Sequence, residues 1–136
     1  MNKSFVNIFW RIFVILILSI TWSCSSENVL SGINIFPNVS KMELQNGNDG
    51  NFVTITDERT LETITNFFKG EYSKREHEGN QSGWSYRIKG YDRNDKLIND
   101  IFIISGSRIK YGNYFYENIS NNIIDLDFLE SLFMKK

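Results

Sequence analysis

Cysteine, histidine and proline occur once each in these 136 residues, and alanine not at all. A single cysteine excludes an internal disulfide. It also excludes the paired-cysteine metal motifs, and the lone His77 leaves no histidine-rich ligand set. His77 sits in the run Arg75-Glu76-His77-Glu78. Adjacent residues point in different directions, whereas a metal needs converging ligands, so the run reads as a solvated loop. A Ser/His/Asp triad would require His77 on a rigid element. Glycine-rich phosphate loops are missing as well. No metal, no cofactor and no catalytic residues are expected, and the chain is not expected to be an enzyme.

Aromatic residues are plentiful, with 11 Phe, 6 Tyr and 3 Trp, a large apolar content for one small core. The length fits one domain. The hydrophobic content, 41%, and charged content, 23%, are those of a folded globular protein.

The first 23 residues read as a signal segment. Lys3 and Arg11 give a basic start, Ile12–Leu18 is an uninterrupted apolar run, and Ser19–Ser23 are smaller or mixed. The apolar run is about half of the ~20 residues needed for a membrane-spanning helix. Cys24 follows directly. Ser23-Cys24 at the end of an apolar run resembles a bacterial lipobox, with Thr21 and Trp22 departing from its usual residues. That resemblance implies cleavage before Cys24 and a diacylglycerol thioether on its thiol. An uncleaved membrane anchor and plain cleavage with release are the alternatives. A lipid on Cys24 also makes sense of a solitary cysteine outside the cell.

Without residues 1–23, thirteen basic and sixteen acidic residues remain. This acidic balance argues against a nucleic-acid partner, which requires a net basic footprint.

The expected organisation is a signal peptide over 1–23, a lipidated cysteine and tether over 24–36, and one α+β domain over 37–136. Asn46–Asn51, NGNDGN, has the Asn and Asp of a calcium loop but neither its ligand alternation nor its closing Glu. It reads as the turn of a hairpin joining Val39–Gln45 to Phe52–Thr56. Leu61, Ile64, Phe67 and Phe68 predict a helix capped by Thr56 or Asp57 and running to about Lys69. Glu71–Gly83 reads as a charged loop. A second helix is expected from Asp125, with Leu126, Leu129, Leu132 and Phe133 on its apolar face.

Between Trp84 and Asn118 the pattern predicts a four-stranded antiparallel meander. Gly106-Ser107 and Gly112-Asn113 are its two-residue turns. Those turns set Ile104 opposite Ile109, Phe102 opposite Tyr111, Tyr111 opposite Tyr114 and Ile109 opposite Tyr116. For the loop Asp92–Lys96 the apolar match favours Ile88 beside Phe102 and Tyr86 beside Ile104. One face then holds Trp84, Tyr86, Ile88, Phe102, Ile104, Ile109, Tyr111, Tyr114 and Tyr116 as the core side. The other holds Arg87, Lys89, Arg108 and Lys110 around Ile101, Ile103 and Phe115, with Glu117 opposite Arg108. This basic face, on an otherwise acidic domain, is the candidate binding surface. Three fates are open for it: cover by a helix, exposure to an anionic partner, or self-association.

The chain resembles the small lipoproteins of Bacillus-type Gram-positive bacteria that carry no assigned activity. The resemblance rests on the segment around Cys24, on TITDERTLETI, on SGWSYRIKGYD and on IKYGNYFYE. It implies a lipid-anchored protein on the extracytoplasmic face of the cell membrane and no particular activity. The expected function is a non-enzymatic binding or interaction module, held to the membrane through lipid on Cys24. Its candidate partners are an anionic wall polymer, lipid headgroups or a protein. The alternative is an inhibitor or immunity-type protein acting on a secreted enzyme.

Overall fold

The computed structural model describes residues 29–31, 34–75 and 83–134. The expected signal segment, Cys24 and the run Glu76–Glu78 lie outside the described residues. The protein is α+β. Its strands are β1 (Val29–Ser31), β2 (Lys41–Asn46), β3 (Phe52–Ile55), β4 (Glu71–Arg75), β5 (Tyr86–Tyr91), β6 (Leu97–Ser105), β7 (Arg108–Tyr111) and β8 (Tyr114–Asn118). Its helices among the described residues are α1 (Glu58–Phe67) and α2 (Leu126–Ser131). The eight strands form one sheet in the order β1-β4-β8-β7-β6-β5-β2-β3. Every pairing is antiparallel. The expected meander β5–β8 is therefore the middle of a wider sheet. It is extended by the β2–β3 hairpin on one side and by β4 and the three-residue β1 on the other.

Local chemistry explains the elements. The Asp57 carboxylate accepts a 2.9 Å bond from the Thr60 amide and caps α1. Leu61 and Ile64 then point into the core. The helix stops after Phe67, where the Asn122 side-chain amide donates to the Asn66 carbonyl at 2.9 Å and to the carbonyls of Phe67 and Lys69. Asn122 thus satisfies carbonyls that a helix end leaves without partners. Asp125 caps α2 in the same way as Asp57, through the Phe128 amide at 2.9 Å. Phe67 and Phe128 meet edge to face at 5.7 Å and join the two helices.

One hydrophobic cluster holds the fold together. Met42 and Leu44 from β2, Ile88 from β5, Ile101 and Ile103 from β6, and Ile109 from β7 are fully buried. Ile64 and Phe68 close over them from the α1 side, and Leu129 from α2. Each such side chain contributes about 1.5–3 kcal/mol by leaving water. Both helices, with residues 34–36, cover the same side of the sheet. The other side is left without a covering helix among the described residues, as antiparallel sheets allow.

Three expectations need correction. The domain does not begin at residue 37. Ile35 and Phe36 belong to the core, at 3% and 1% exposure, and Val29–Ser31 pairs with β4, so part of the stretch 24–36 expected as tether belongs to the fold. The start of the expected loop Glu71–Gly83 is strand β4, with Tyr72 buried. The register of the meander also differs. Tyr86 faces Ile103, Arg87 faces Phe102 and Ile88 faces Ile101. Ile103 faces Ile109 and Ile101 faces Tyr111. Ile101 and Ile103 therefore lie in the core, and Phe102 on the opposite side. Between β7 and β8 the expected pairs Tyr111–Tyr114 and Ile109–Tyr116 are present. Gly112, at φ 58°, takes the first turn position, where a side chain would be strained.

Candidate functional site

The uncovered face of the sheet is built by alternation along the strands. On β5, Tyr86 and Ile88 point inward, which leaves Arg87 and Lys89 outward. On β6, Ile101 and Ile103 inward leave Asp100 and Phe102 outward. Ile109 inward leaves Arg108 and Lys110 outward, and Tyr116 inward leaves Phe115 and Glu117 outward.

Register aligns these outward side chains into one row across seven strands. Phe52 faces Gln45, and Gln45 faces Arg87. Arg87 faces Phe102, and Phe102 faces Lys110. Lys110 faces Phe115, and Phe115 faces Arg75. From β5 to β4 the row alternates cation and ring without a break. Six strand spacings of about 4.8 Å make it about 29 Å long.

The contacts within the row are direct. The Arg87 guanidinium lies 4.9 Å from the Phe102 ring centre. The Lys110 ammonium is 5.8 Å from the Phe102 ring and 5.8 Å from the Phe115 ring. Such cation–ring contacts contribute about 0.5–1 kcal/mol at exposed sites. Trp84 packs edge-on against Phe102 at 5.6 Å and so belongs to this side, not to the core side expected for it.

Acidic side chains flank the row and fix some of the cations. Asp100 accepts from Arg87 Nε at 2.9 Å and from Nη2 at 2.5 Å, a bidentate clamp. This bond, foremost, holds the guanidinium pKa above its usual value. Glu117 accepts from Arg75 Nε at 2.9 Å. The Tyr91 hydroxyl donates to Glu43 at 2.8 Å. Lys89, Arg108 and Lys110 make no ion pair among the described residues. Counting the row and its flanks, five cations (Arg75, Arg87, Lys89, Arg108 and Lys110) stand against three carboxylates (Glu43, Asp100 and Glu117). The face is thus positive on a chain of net charge -1. Next to the row, Glu43, Gln45, Phe52, Arg87 and Lys89 line a hollow of about 250 Å³.

Of the residues proposed from sequence, Arg87, Lys89, Arg108, Lys110 and Phe115 share this face, and Glu117 stands opposite Arg108 as expected. Ile101 and Ile103 do not, being wholly buried on the other side. Of the three fates open for the face, cover by a helix is not the one found among the described residues, and no helix carboxylate pairs with Arg87 there. Arg87 takes Asp100 from its own sheet, while Glu130 of α2 accepts on the core side from the Tyr86 hydroxyl at 2.5 Å and the Asn46 amide at 3.2 Å. Sequence reasoning missed Phe52, Gln45, Phe102 and Arg75. Phe52 carried a signal, since it lies at an odd offset from the inward Val53 and Ile55 and is 67% exposed.

Among the described residues, no group of three or more His, Cys, Asp or Glu side chains is placed to hold a metal ion. Nor is any helix there long and apolar enough to cross a membrane. No protein-family model, curated protein or solved structure matches the chain.

The tyrosines add a pH dependence. Burial raises the pKa of Tyr72 and Tyr116 above 10.0. Burial, followed by the bond to Glu130, raises Tyr86, and burial, followed by the bond to Glu43, raises Tyr91. A raised folded-state pKa gives stability that is complete below the unfolded value and lost as pH climbs through the folded one. The melting temperature should therefore fall as pH rises above 10.0, the ordinary tyrosine value. In Tyr86→Phe the decline should be shallower; an identical decline would show that Tyr86 ionises freely in the folded state.

Proposed function

We propose that the chain is a lipid-anchored, extracytoplasmic binding module without catalytic activity, belonging with the small lipoproteins of Bacillus-type bacteria. Its open, positively charged sheet face is the docking surface for an anionic partner. The observation that supports this reading is the cation–ring row on the face that neither helix covers. A row of half-buried lysine, arginine and phenylalanine on an uncovered face attracts anions and offers apolar surface at the same place. The anchor reading rests on Cys24, five residues before the first residue of β1. An extended chain of that length reaches about 17 Å, so a lipid on Cys24 would hold the sheet close to the bilayer.

Two measurements test the reading. Cells fed an alkynyl fatty acid should label the wild-type chain and leave Cys24→Ala unlabelled and unprocessed. Label persisting in the variant would remove the anchor. Purified anionic cell-wall polymer should retain the wild-type protein in low salt and release it as salt rises. Lys89→Glu combined with Lys110→Glu should abolish retention at an unchanged melting temperature. Undiminished retention would remove the docking face.

A further inference from the structure

The period of the row points to a particular kind of anionic partner. Along it, Phe115, Lys110, Phe102 and Arg87 occupy four successive strands, β8, β7, β6 and β5. Rings therefore recur every second strand, about 10 Å apart, and cations recur at the same interval between them. An equatorially linked pyranose chain advances by about one strand spacing per sugar. Two strands of this sheet thus match one disaccharide.

We propose that this face binds an acidic polysaccharide that carries a carboxylate on every second sugar. The proposal deepens the docking reading above and rests on it. The uncharged sugars lie flat on Phe102 and Phe115. A pyranose turns a face of C–H bonds toward a ring whose own face is electron-rich, which favours this stacking. The sugar between them places its carboxylate at Lys110, whose ammonium sits 5.8 Å from both rings and makes no ion pair among the described residues. The next carboxylate falls at Arg87. Asp100 occupies its Nε and Nη2, which leaves Nη1 and the charge-assisted donors there for a ligand. Asp100 thereby orients the guanidinium instead of closing the site.

Charge complementarity and spacing together separate this ligand from its rivals. A neutral glycan would leave Lys110 without an anion. A glycan acidic at every sugar would set carboxylates over Phe102 and Phe115, against the negative faces of the rings. A glycerol-phosphate polymer supplies anions but no flat sugar face for either ring.

The experiment is binding of the full-length protein to four fluorescent probes by anisotropy at low salt. Hyaluronan oligosaccharides carry acid on alternate sugars, oligogalacturonate on every sugar, and chitin oligosaccharides on none. Poly(glycerol phosphate) is the fourth. Hyaluronan should bind about tenfold or more tighter than the other three. Phe102→Ala and Lys110→Gln should each weaken it about tenfold, and Lys110→Arg should restore it. If Phe102→Ala does not fold, Lys110→Gln and Lys110→Arg carry the test alone. Equal affinity for hyaluronan and oligogalacturonate, or for hyaluronan and chitin, overturns the alternating-acid proposal. Preference for poly(glycerol phosphate) overturns it too, but leaves the anionic docking face standing. Binding of no probe overturns it as well; if wall polymer is also not retained, the docking reading falls with it.

Discussion

Phe36→Ala should lower the stability of the fold by about 3–5 kcal/mol, the range for removing a large buried aromatic ring. Phe36 precedes the only proline, in a stretch that looks like the end of a linker. Its ring nevertheless is 1% exposed and meets Phe68 edge to face at 5.5 Å. Neighbouring backbone is tied down as well: the Ile35 carbonyl accepts from the Asn99 side-chain amide, whose oxygen accepts from the Tyr111 hydroxyl at 3.1 Å. Losing the ring removes its burial and leaves a cavity between α1 and the sheet.

Gly90 gives the same contact from the other side. A methyl group there would come within 2.4 Å of Phe36 Cδ1, closer than real side chains approach. Gly90→Ala should therefore cost about 1–3 kcal/mol by overpacking. In the Phe36→Ala background the same change should cost nothing or recover some stability, because the space it enters is then empty. Urea denaturation of the two single variants and the double variant measures that coupling. A Phe36→Ala protein as stable as wild type would return the domain boundary to residue 37. Additive losses in the double variant would show that the ring does not rest on Gly90.

What the sequence made legible follows from where one apolar face was clean. The β2–β3 hairpin, both helix starts and the two glycine turns were readable, and Asp57, Asp125 and Gly112 carry local chemistry that needs no tertiary partner. β4 was not. Glu71–Arg75 offers a single apolar side chain, Tyr72, and so has no alternation to detect. It is a strand because β1 and β8 supply partners for its backbone on both sides. Three-residue β1 is shorter still and exists only through that pairing.

The candidate site was half legible for a related reason. Arg87, Lys89, Arg108 and Lys110 alternate with Ile88 and Ile109, so their side of the sheet could be read from each strand alone. Ile101, Phe102, Ile103 and Ile104 are apolar on both faces, and alternation is silent there. Only register could decide, and register was inferred from the loops. Beside Gly106-Ser107 the inference agrees with the structure, since Ser105 faces Arg108; across Asp92–Lys96 the loop is odd as inferred, but Tyr91 faces Leu97 where the inferred pairs set Asn99. The pairing then shifts between Tyr91 and Gly90 and again between Ser105 and Ile103. Each bulge slips the register by one residue, and one residue exchanges the faces. Phe102 thereby leaves the core for the cation–ring row, and Ile101 and Ile103 take its place inside.

That exchange predicts opposite fates for two adjacent isoleucines. Ile103 is 0% exposed and lies between Tyr86 and Ile109 in the center of the sheet. Ile103→Ala should cost about 2–5 kcal/mol, since it removes buried methyl groups and leaves a cavity. Ile104 is half-buried and sits in the bulge, where β6 and β7 skip a pairing. Its carbonyl still accepts from the Ser85 hydroxyl at 3.2 Å, a backbone bond that alanine keeps. Ile104→Ala should therefore cost about 1 kcal/mol or less, nearer to a surface change than to a core one. Urea midpoints at unchanged slope would compare the two directly. An unbulged strand predicts the reverse order, with Ile104 opposite Ile109 in the core and Ile103 outside. If Ile104→Ala proves the more damaging, the bulge beside Ser105 is wrong, Phe102 returns to the core, and the alternating row loses the ring at its center.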